Sequence, residues 1–343
     1  MNCSEIVVVT GASAGVGRAT IIEFAKRKRA RVALLARGLK GLEGAARDVE
    51  AHGGEALIIQ VDVADAEQLQ RAAQKVVDTW GGIDIWVNCA MVTILSPFSE
   101  ITPEEFRRAT EVTYLGYVYG THAALKQMLP LNRGTIVQVG SALSYRGIPL
   151  QSAYCGAKHA IKGFTESLIC ELMHNKSKVR VNMVQLPAIN TPQFEWSRNK
   201  MERKHQPVPP IYEPQLSAEA IFWSAHSKRR EIQLGTSAMV IWLGKLFPKV
   251  VDIYLAKTGF DAQQYNGAVA KDKPDNLFAP VEGDYGARGQ FSHQAQSKSI
   301  QLKITTFPGY PFILYAGVGL SLMLLKKAGK SFYRLGDLKR KKR

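Results

Sequence analysis

"VVVTGASAGVGRATIIEF", residues 7–24, joins a short apolar run to a segment of helical period through a turn containing Gly11, Gly15 and Gly17. Glycines there let the backbone approach a pyrophosphate closely, and the unpaired N–H groups and dipole of the following helix favour an anion. The turn follows a strand, opens a helix and begins a βαβ unit, which points to nucleotide binding rather than to a purely structural turn. Gly11, Ser13, Ala14, Gly15, Val16 and Gly17 are the expected cofactor contacts of this loop.

Outward from this unit the same alternation continues. Apolar runs at 6–10, 31–36, 56–61, 83–88, 135–139 and 180–185 are separated by amphipathic stretches such as "AEQLQRAAQKVVDTW" (66–80). Strands that are apolar throughout, rather than at every second residue, imply burial on both faces. With right-handed crossovers the result is an α/β fold, a doubly wound parallel sheet of Rossmann type with helices on both sides. The regularity breaks between Thr191 and Leu216, a proline-rich and aromatic insertion with the character of a substrate lid, in which Phe194, Trp196, Met201, Ile211 and Tyr212 are apolar. Helix "SAEAIFWSAHS", a last strand "EIQLG" and a helical pair (236–257) broken near Pro248 follow. The expected division is a catalytic domain over 1–258, a linker-like extension over 259–305 that includes "DNLFAPVEGDYGARGQF", and an apolar segment with a basic tail over 306–343.

Composition bounds the rest. The 343 residues are 46% hydrophobic, enough for a large core, and about half of the net charge of +16 lies at one end, with nine Lys or Arg against one acid after Leu325. Four cysteines without Cys-x-x-Cys spacing favour free thiols in a reducing compartment, and "MNCSEIVVVTG" lacks the regions of a signal peptide, so a cytoplasmic protein is expected. The seven histidines form no metal-ligand spacing, so no metal is expected. The basic end "KRKKR" has no base-stacking module beside it, and no nucleic-acid partner is expected.

The second strand ends "LLARG". An acid there would accept from a ribose 2'-hydroxyl, whereas a cation suits a 2'-phosphate. Arg37, with Ser13 in the glycine loop, therefore argues for NADP(H). In "SAYCGAKHAIKGF" (152–164), Tyr154 and Lys158 stand four residues apart on one helical face, and Ser141 ends the strand "TIVQVGS" where open α/β sheets bind ligands.

With these residues together, the sequence resembles a short-chain dehydrogenase/reductase from about Ile6 to Leu234. The resemblance implies a catalytic Ser141, Tyr154 and Lys158, the last two also touching cofactor. It implies that Asp62 and Val63 border the adenine, that Asn88 and Ala90 line the cofactor cleft, and that Pro187, Ile189 and Thr191 sit by the nicotinamide amide. Ala188 replaces a usual glycine, and Thr113 in "EVTYLG" replaces an asparagine that helps hold a proton relay in many members. The implied chemistry is hydride exchange with a carbonyl or alcohol. Tyr154 is the acid or base, its phenol lowered from about 10 by the Lys158 ammonium and the oxidised nicotinamide, and Ser141 donates to the substrate oxygen. Related enzymes commonly pair through long central helices, which implies a homo-oligomer. The altered Thr113 leaves open a catalytically weak cofactor-binding scaffold or sensor.

The insertion's apolar side chains suggest a lipophilic alcohol, ketone or aldehyde as substrate. The tail bears on the same question. "YPFILYAGVGLSLMLL" (310–325) is densely apolar, but a helix from Pro311 to Leu325 is only about 22 Å long, short of a ~30 Å hydrocarbon core. A re-entrant or surface-lying segment with its lysines near anionic lipid is the expected arrangement.

Overall fold

The structure is a computed structural model that describes residues 4–270 and 273–307. Seven parallel strands form its central sheet: β1 (Ile6–Thr10), β2 (Arg31–Ala36), β3 (Glu55–Gln60), β4 (Ile85–Asn88), β5 (Thr135–Ser141), β6 (Arg180–Leu186) and β7 (Glu231–Gln233). Their spatial order is β7-β6-β5-β4-β1-β2-β3, which reverses direction at β1 and so opens a crevice at the carboxyl ends of β1 and β4. The register sets Val8 between Ala33 of β2 and Trp86 of β4, all three fully buried.

Burial on both faces holds for β1, β2 and β4, whose apolar runs lie between helices. β3 is the exception: at the sheet edge it is half-exposed along most of its length. Helices α1 (Gly15–Lys28), α2 (Leu39–Ala51), α3 (Ala66–Trp80), α4 (Pro103–Thr110), α5 (Gly116–Met128), α6 (Ser152–His174) and α7 (Pro214–His226) cover the sheet. The amphipathic stretch at 66–80 becomes α3, capped at its start by the Asp65 carboxylate on Gln68 N–H and ended by Gly81 in the left-handed region. After β7 come α8 (Ser237–Leu246) and α9 (Pro248–Ala262), separated at Pro248 as its missing N–H requires.

Two polar clusters set the crevice. The Thr10 hydroxyl accepts from Cys89 N (2.9 Å) and Ala90 N (3.2 Å), tying the end of β1 to the end of β4. Beneath it, Asn88 Oδ1 accepts from Trp86 Nε1 (2.8 Å), while its Nδ2 donates to Gln138 Oε1 (3.0 Å) and Thr121 Oγ1 (3.1 Å). A Cβ on Gly120 would fall 2.3 Å from Asn88 Oδ1, so only glycine lets α5 approach this closely.

The insertion at 191–216 is built of short pieces. Ile211–Tyr212 pair in parallel with Ala188–Ile189, and Arg203–His205 pair antiparallel with Gln264–Ala268. The apolar run and basic tail expected to touch a membrane lie outside the described residues; among those described, no helix is long and apolar enough to cross one.

Asn88→Ala should orphan the Trp86, Gln138 and Thr121 polar groups and lower the unfolding free energy by about 2–3 kcal/mol. Urea unfolding at unchanged slope is the check, and a shift near zero would mean the network contributes nothing net.

Candidate active site

Gly11 and Gly15 adopt φ of +70° and +59°, and a Cβ on Gly17 would lie 2.1 Å from the Gly11 carbonyl oxygen. The loop therefore folds tightly onto the start of α1, which has neither a side-chain cap nor an acid in its first turn. Gly15, Val16 and Gly17 border a cavity of about 600 Å³, so the positive end of the helix meets the space where a phosphate would sit. This backbone cradle, with basic groups at its far end, fits a dinucleotide.

That far end is at the carboxyl edge of β2. Arg37 lies on the cavity wall and is half-buried, donating through Nη1 to the carbonyls of Phe278 (3.2 Å) and Leu277 (3.4 Å) and through Nη2 to that of Asn276. Burial lowers its pKa, opposed by the Asp62 carboxylate. Asp62 also accepts from Arg108, whose Nε donates to Leu277 O at 3.1 Å. These carbonyls belong to the stretch whose composition reads as a linker, and that stretch continues across the glycine loop. Gly286 O accepts from Gly15 N–H at 3.0 Å, and Asp284 accepts from the buried Arg18 at 3.1 Å. Tyr285 packs edge-on to Trp196 with ring centroids 4.7 Å apart. Residues 276–286 thus form a strap over the β1–β2 side of the cleft.

The three residues expected to carry chemistry meet in the same cavity. Ser141 ends β5, and Tyr154 and Lys158 lie one turn apart on α6. Lys158 is buried; its Nζ donates to Val139 O (2.7 Å) and to Tyr117 Oη (3.0 Å) and stands 5.6 Å from the centre of the Tyr154 ring. Burial pulls its ammonium down from 10.5 to about 8, with Cys89 acting weakly the other way. Without cofactor, burial pushes the Tyr154 phenol above its ordinary value, and a hydrogen bond with Ser141 only partly offsets this.

All the expected cofactor contacts border this cavity except Asn88. Its side chain points under the sheet, into the network with Trp86, Gln138 and Thr121, because those three partners satisfy a buried amide that the cleft would leave unpaired. Thr113 likewise is committed: its hydroxyl donates to Val92 O (2.9 Å) and accepts from Val92 N (3.0 Å) within a π-helical turn, 111–115. Of the insertion's apolar residues, Phe194 and Trp196 face the cavity, whereas Ile211 packs with Phe194 and Phe291 beneath it and Met201 lies away from it.

Sequence reasoning missed Tyr117, the strap, and the wall that α8 and α9 supply through Met239, Val240, Leu243, Val251, Tyr254 and Leu255. Tyr117 had a signal, since it follows Thr113 by one helical turn and so shares its face.

The family model of the short chain dehydrogenases matches residues 5–202. An uncharacterised oxidoreductase, YxnA of Bacillus subtilis (strain 168), is 31% identical over 92% of this chain and 88% of its own. A 3-oxoacyl-[acyl-carrier-protein] reductase of Bos taurus is 31% identical over 60% of this chain and 84% of its own. The human 17-beta-hydroxysteroid dehydrogenase 13 is 36% identical, but over 49% of this chain and 56% of that one. Among solved structures, a metagenomic short-chain oxidoreductase in complex with NADP superposes with a TM-score of 0.57 at 25% identity, covering 67% of this chain and 96% of that one. The alcohol dehydrogenase of the archaeon Thermococcus sibiricus, complexed with 5-hydroxy-NADP, gives 0.57 and 25% over 67% and 95%. The chain belongs to the short-chain dehydrogenase/reductase family and is an oxidoreductase.

A buried ammonium depressed to about 8 has a signature in stability. Between about pH 8 and 10.5 the unfolded chain binds more protons at Lys158 than the folded one, so this group's contribution rises with pH there, and below pH 8 its full penalty is present. Lys158→Met should therefore raise the unfolding free energy at pH 7 by about 1–3 kcal/mol, the Tyr117–Val139 hydrogen bond remaining, and lose that advantage above pH 10.5. Denaturant titrations at pH 7 and 10.5 measure both; a destabilised variant at pH 7 would contradict the account.

Proposed function

We propose that the protein is an NADP(H)-dependent reductase of lipophilic ketones or aldehydes, able to run in reverse on the alcohols. The observation that carries the reading is that Ser141, Tyr154 and Lys158 border the same cavity as the glycine loop, and that the remaining wall is largely apolar. When bound, the cofactor supplies or accepts hydride at C4 of its nicotinamide. Ser141 donates a hydrogen bond to the substrate oxygen, and Tyr154 gives that oxygen its proton. The phenol, held protonated by burial, has the proton that reduction requires, and the phenolate it leaves accepts one in the reverse reaction. Lys158 positions the site through Val139 and Tyr117 and, on this reading, would also hold the nicotinamide ribose of a bound cofactor.

The choice of NADP(H) rests on Arg37, held at the end of β2 with its guanidinium on the cavity wall. The two structural neighbours bind NADP or a derivative of it, which supports the same choice. Relatives named for hydroxysteroids and for 3-oxoacyl chains favour a lipophilic substrate, as does the wall made by Leu243, Val251, Leu255 and Phe194. The catalytic unit by this reading includes 191–216 as the lid, with Phe194 and Trp196 its inward side chains.

Tyr154→Phe should keep NADPH binding, followed by fluorescence, and lose turnover by roughly 10²–10⁴-fold; retained turnover in the purified variant would remove Tyr154 from the mechanism. Arg37→Ala should weaken NADPH relative to NADH by about 10–100-fold, the loss of a charge-assisted contact to phosphate. An unchanged ratio would show that the 2'-phosphate is recognised elsewhere.

A further inference from the structure

Helices α8 and α9 carry their apolar stripes on the outside. On α8, Met239, Trp242, Leu243 and Leu246 fall at helical spacing and are all exposed, Trp242 by 59%. On α9, Val250, Ile253 and Tyr254 fall on one face, and Val250 and Tyr254 are 65% and 64% exposed; Phe247 sits between the helices, also exposed. A soluble surface scatters such residues singly; a contiguous set at helical period marks a docking face.

Three observations say what docks. First, Lys245, Lys249 and Lys257 stand among these residues, while the two acids of the helices are committed elsewhere, Asp252 to Arg146 and Asp261 to Arg203. The face is therefore apolar with a cationic fringe. A second copy of the chain packed about a two-fold axis would set this fringe against itself. Anionic lipid headgroups instead complement it. Second, Met239, Leu243 and Tyr254 are both exposed and part of the cavity wall, so the face continues into the mouth of the cavity through these three side chains. Third, Trp242 and Tyr254 are the amphipathic aromatics that favour a membrane–water interface.

We propose that α8 and α9 seat the enzyme on the surface of an anionic bilayer, with the cavity mouth opening into the lipid. No spanning segment is needed. The helices lie in the interface with their apolar side chains below the headgroups and their lysines among the phosphates. Substrate then enters from the acyl region rather than from water. That catalytic consequence rests on the lipophilic-substrate reading above; the docking itself does not.

The test uses the full chain and two kinds of vesicle, phosphatidylcholine alone and phosphatidylcholine with phosphatidylserine, some made with brominated acyl chains. Emission that is present in the wild type and missing from Trp242→Phe should be quenched by the brominated anionic vesicles, and raised salt should weaken the binding. The triple variant Leu246→Ser, Val250→Ser, Ile253→Ser alters exposed residues outside the cavity wall. It should keep its circular dichroism and NADPH binding, and its vesicle affinity should fall about tenfold or more. Unquenched Trp242 would overturn the proposal, whether because a second copy or another part of the chain covers the face. Vesicle binding unchanged in the triple variant would overturn it too. Docking without turnover of any membrane-dissolved ketone would uphold this inference and defeat the substrate reading.

Discussion

The ammonium of Lys158 is buried at the carboxyl edge of the sheet with two oxygen acceptors, Val139 O and Tyr117 Oη. An unpaired charge in that position would be costly enough to prevent folding or to discharge the amine, so β5, α5 and α6 must all be placed to within hydrogen-bond tolerance. The same placement organises the site. Val139 lies two residues before Ser141 on β5, and Tyr154 lies one turn before Lys158 on α6, so anchoring the lysine also sets the spacing between the hydroxyl and the phenol. Tyr117 contributes from the third side and donates to the same carbonyl at 2.9 Å. The lowered pKa of Lys158 reflects its burial, which disfavours the charged form that Val139 O and Tyr117 Oη accept from.

The parts legible in the sequence are those governed by periodicity or by fixed spacing. The strand runs mapped onto the sheet almost residue for residue because a strand buried on both faces leaves no choice of composition. The glycine loop was legible because Gly17 tolerates no side chain against the Gly11 carbonyl. Asn88 shows the limit of such reading. Its position at the end of β4 is what the pattern implies, yet alternation along the strand turns its amide beneath the sheet, and only the three-dimensional partners reveal this. The phenol of Tyr154 shows another limit. Its neighbour one helical turn on is a cation, but how completely the fold buries the phenol, which no spacing reveals, is the larger influence on it.

The strap at 276–286 was illegible for a different reason. It has no period, and its glycines and acids are the composition of a solvated linker. What holds it are contacts with separate elements: Leu277 buried completely, Asp284 on Arg18, and a row of carbonyls on Arg37. The bonds to Arg18 and Arg37 reach partners more than 200 residues away in the chain, and no local rule anticipates such a pairing. Asp284 Oδ2 would lie 1.9 Å from a Cβ on Gly44, so even the choice of glycine on α2 is explained only by the strap.

Chain beyond the sheet walls the cavity at two ends. Beside β2 the strap adds Asn276, Pro280, Val281, Gly283 and Tyr285 to a wall that the βαβ unit supplies with the glycine loop and Arg37. The Gly286 carbonyl on Gly15 N–H already places an oxygen where the helix favours negative charge. At the other end α8 and α9 add mostly apolar side chains, with Ser237 and Thr258 among them, and they turn further apolar groups outward. The glycine loop, β5 and α6 bring Ser141, Tyr154 and Lys158 to this one cavity. Residues 236–262 wall it from elsewhere in the chain, so a polar substitution at the exposed Met239 or Leu243 would alter its mouth without touching the phenol, the amine or the serine.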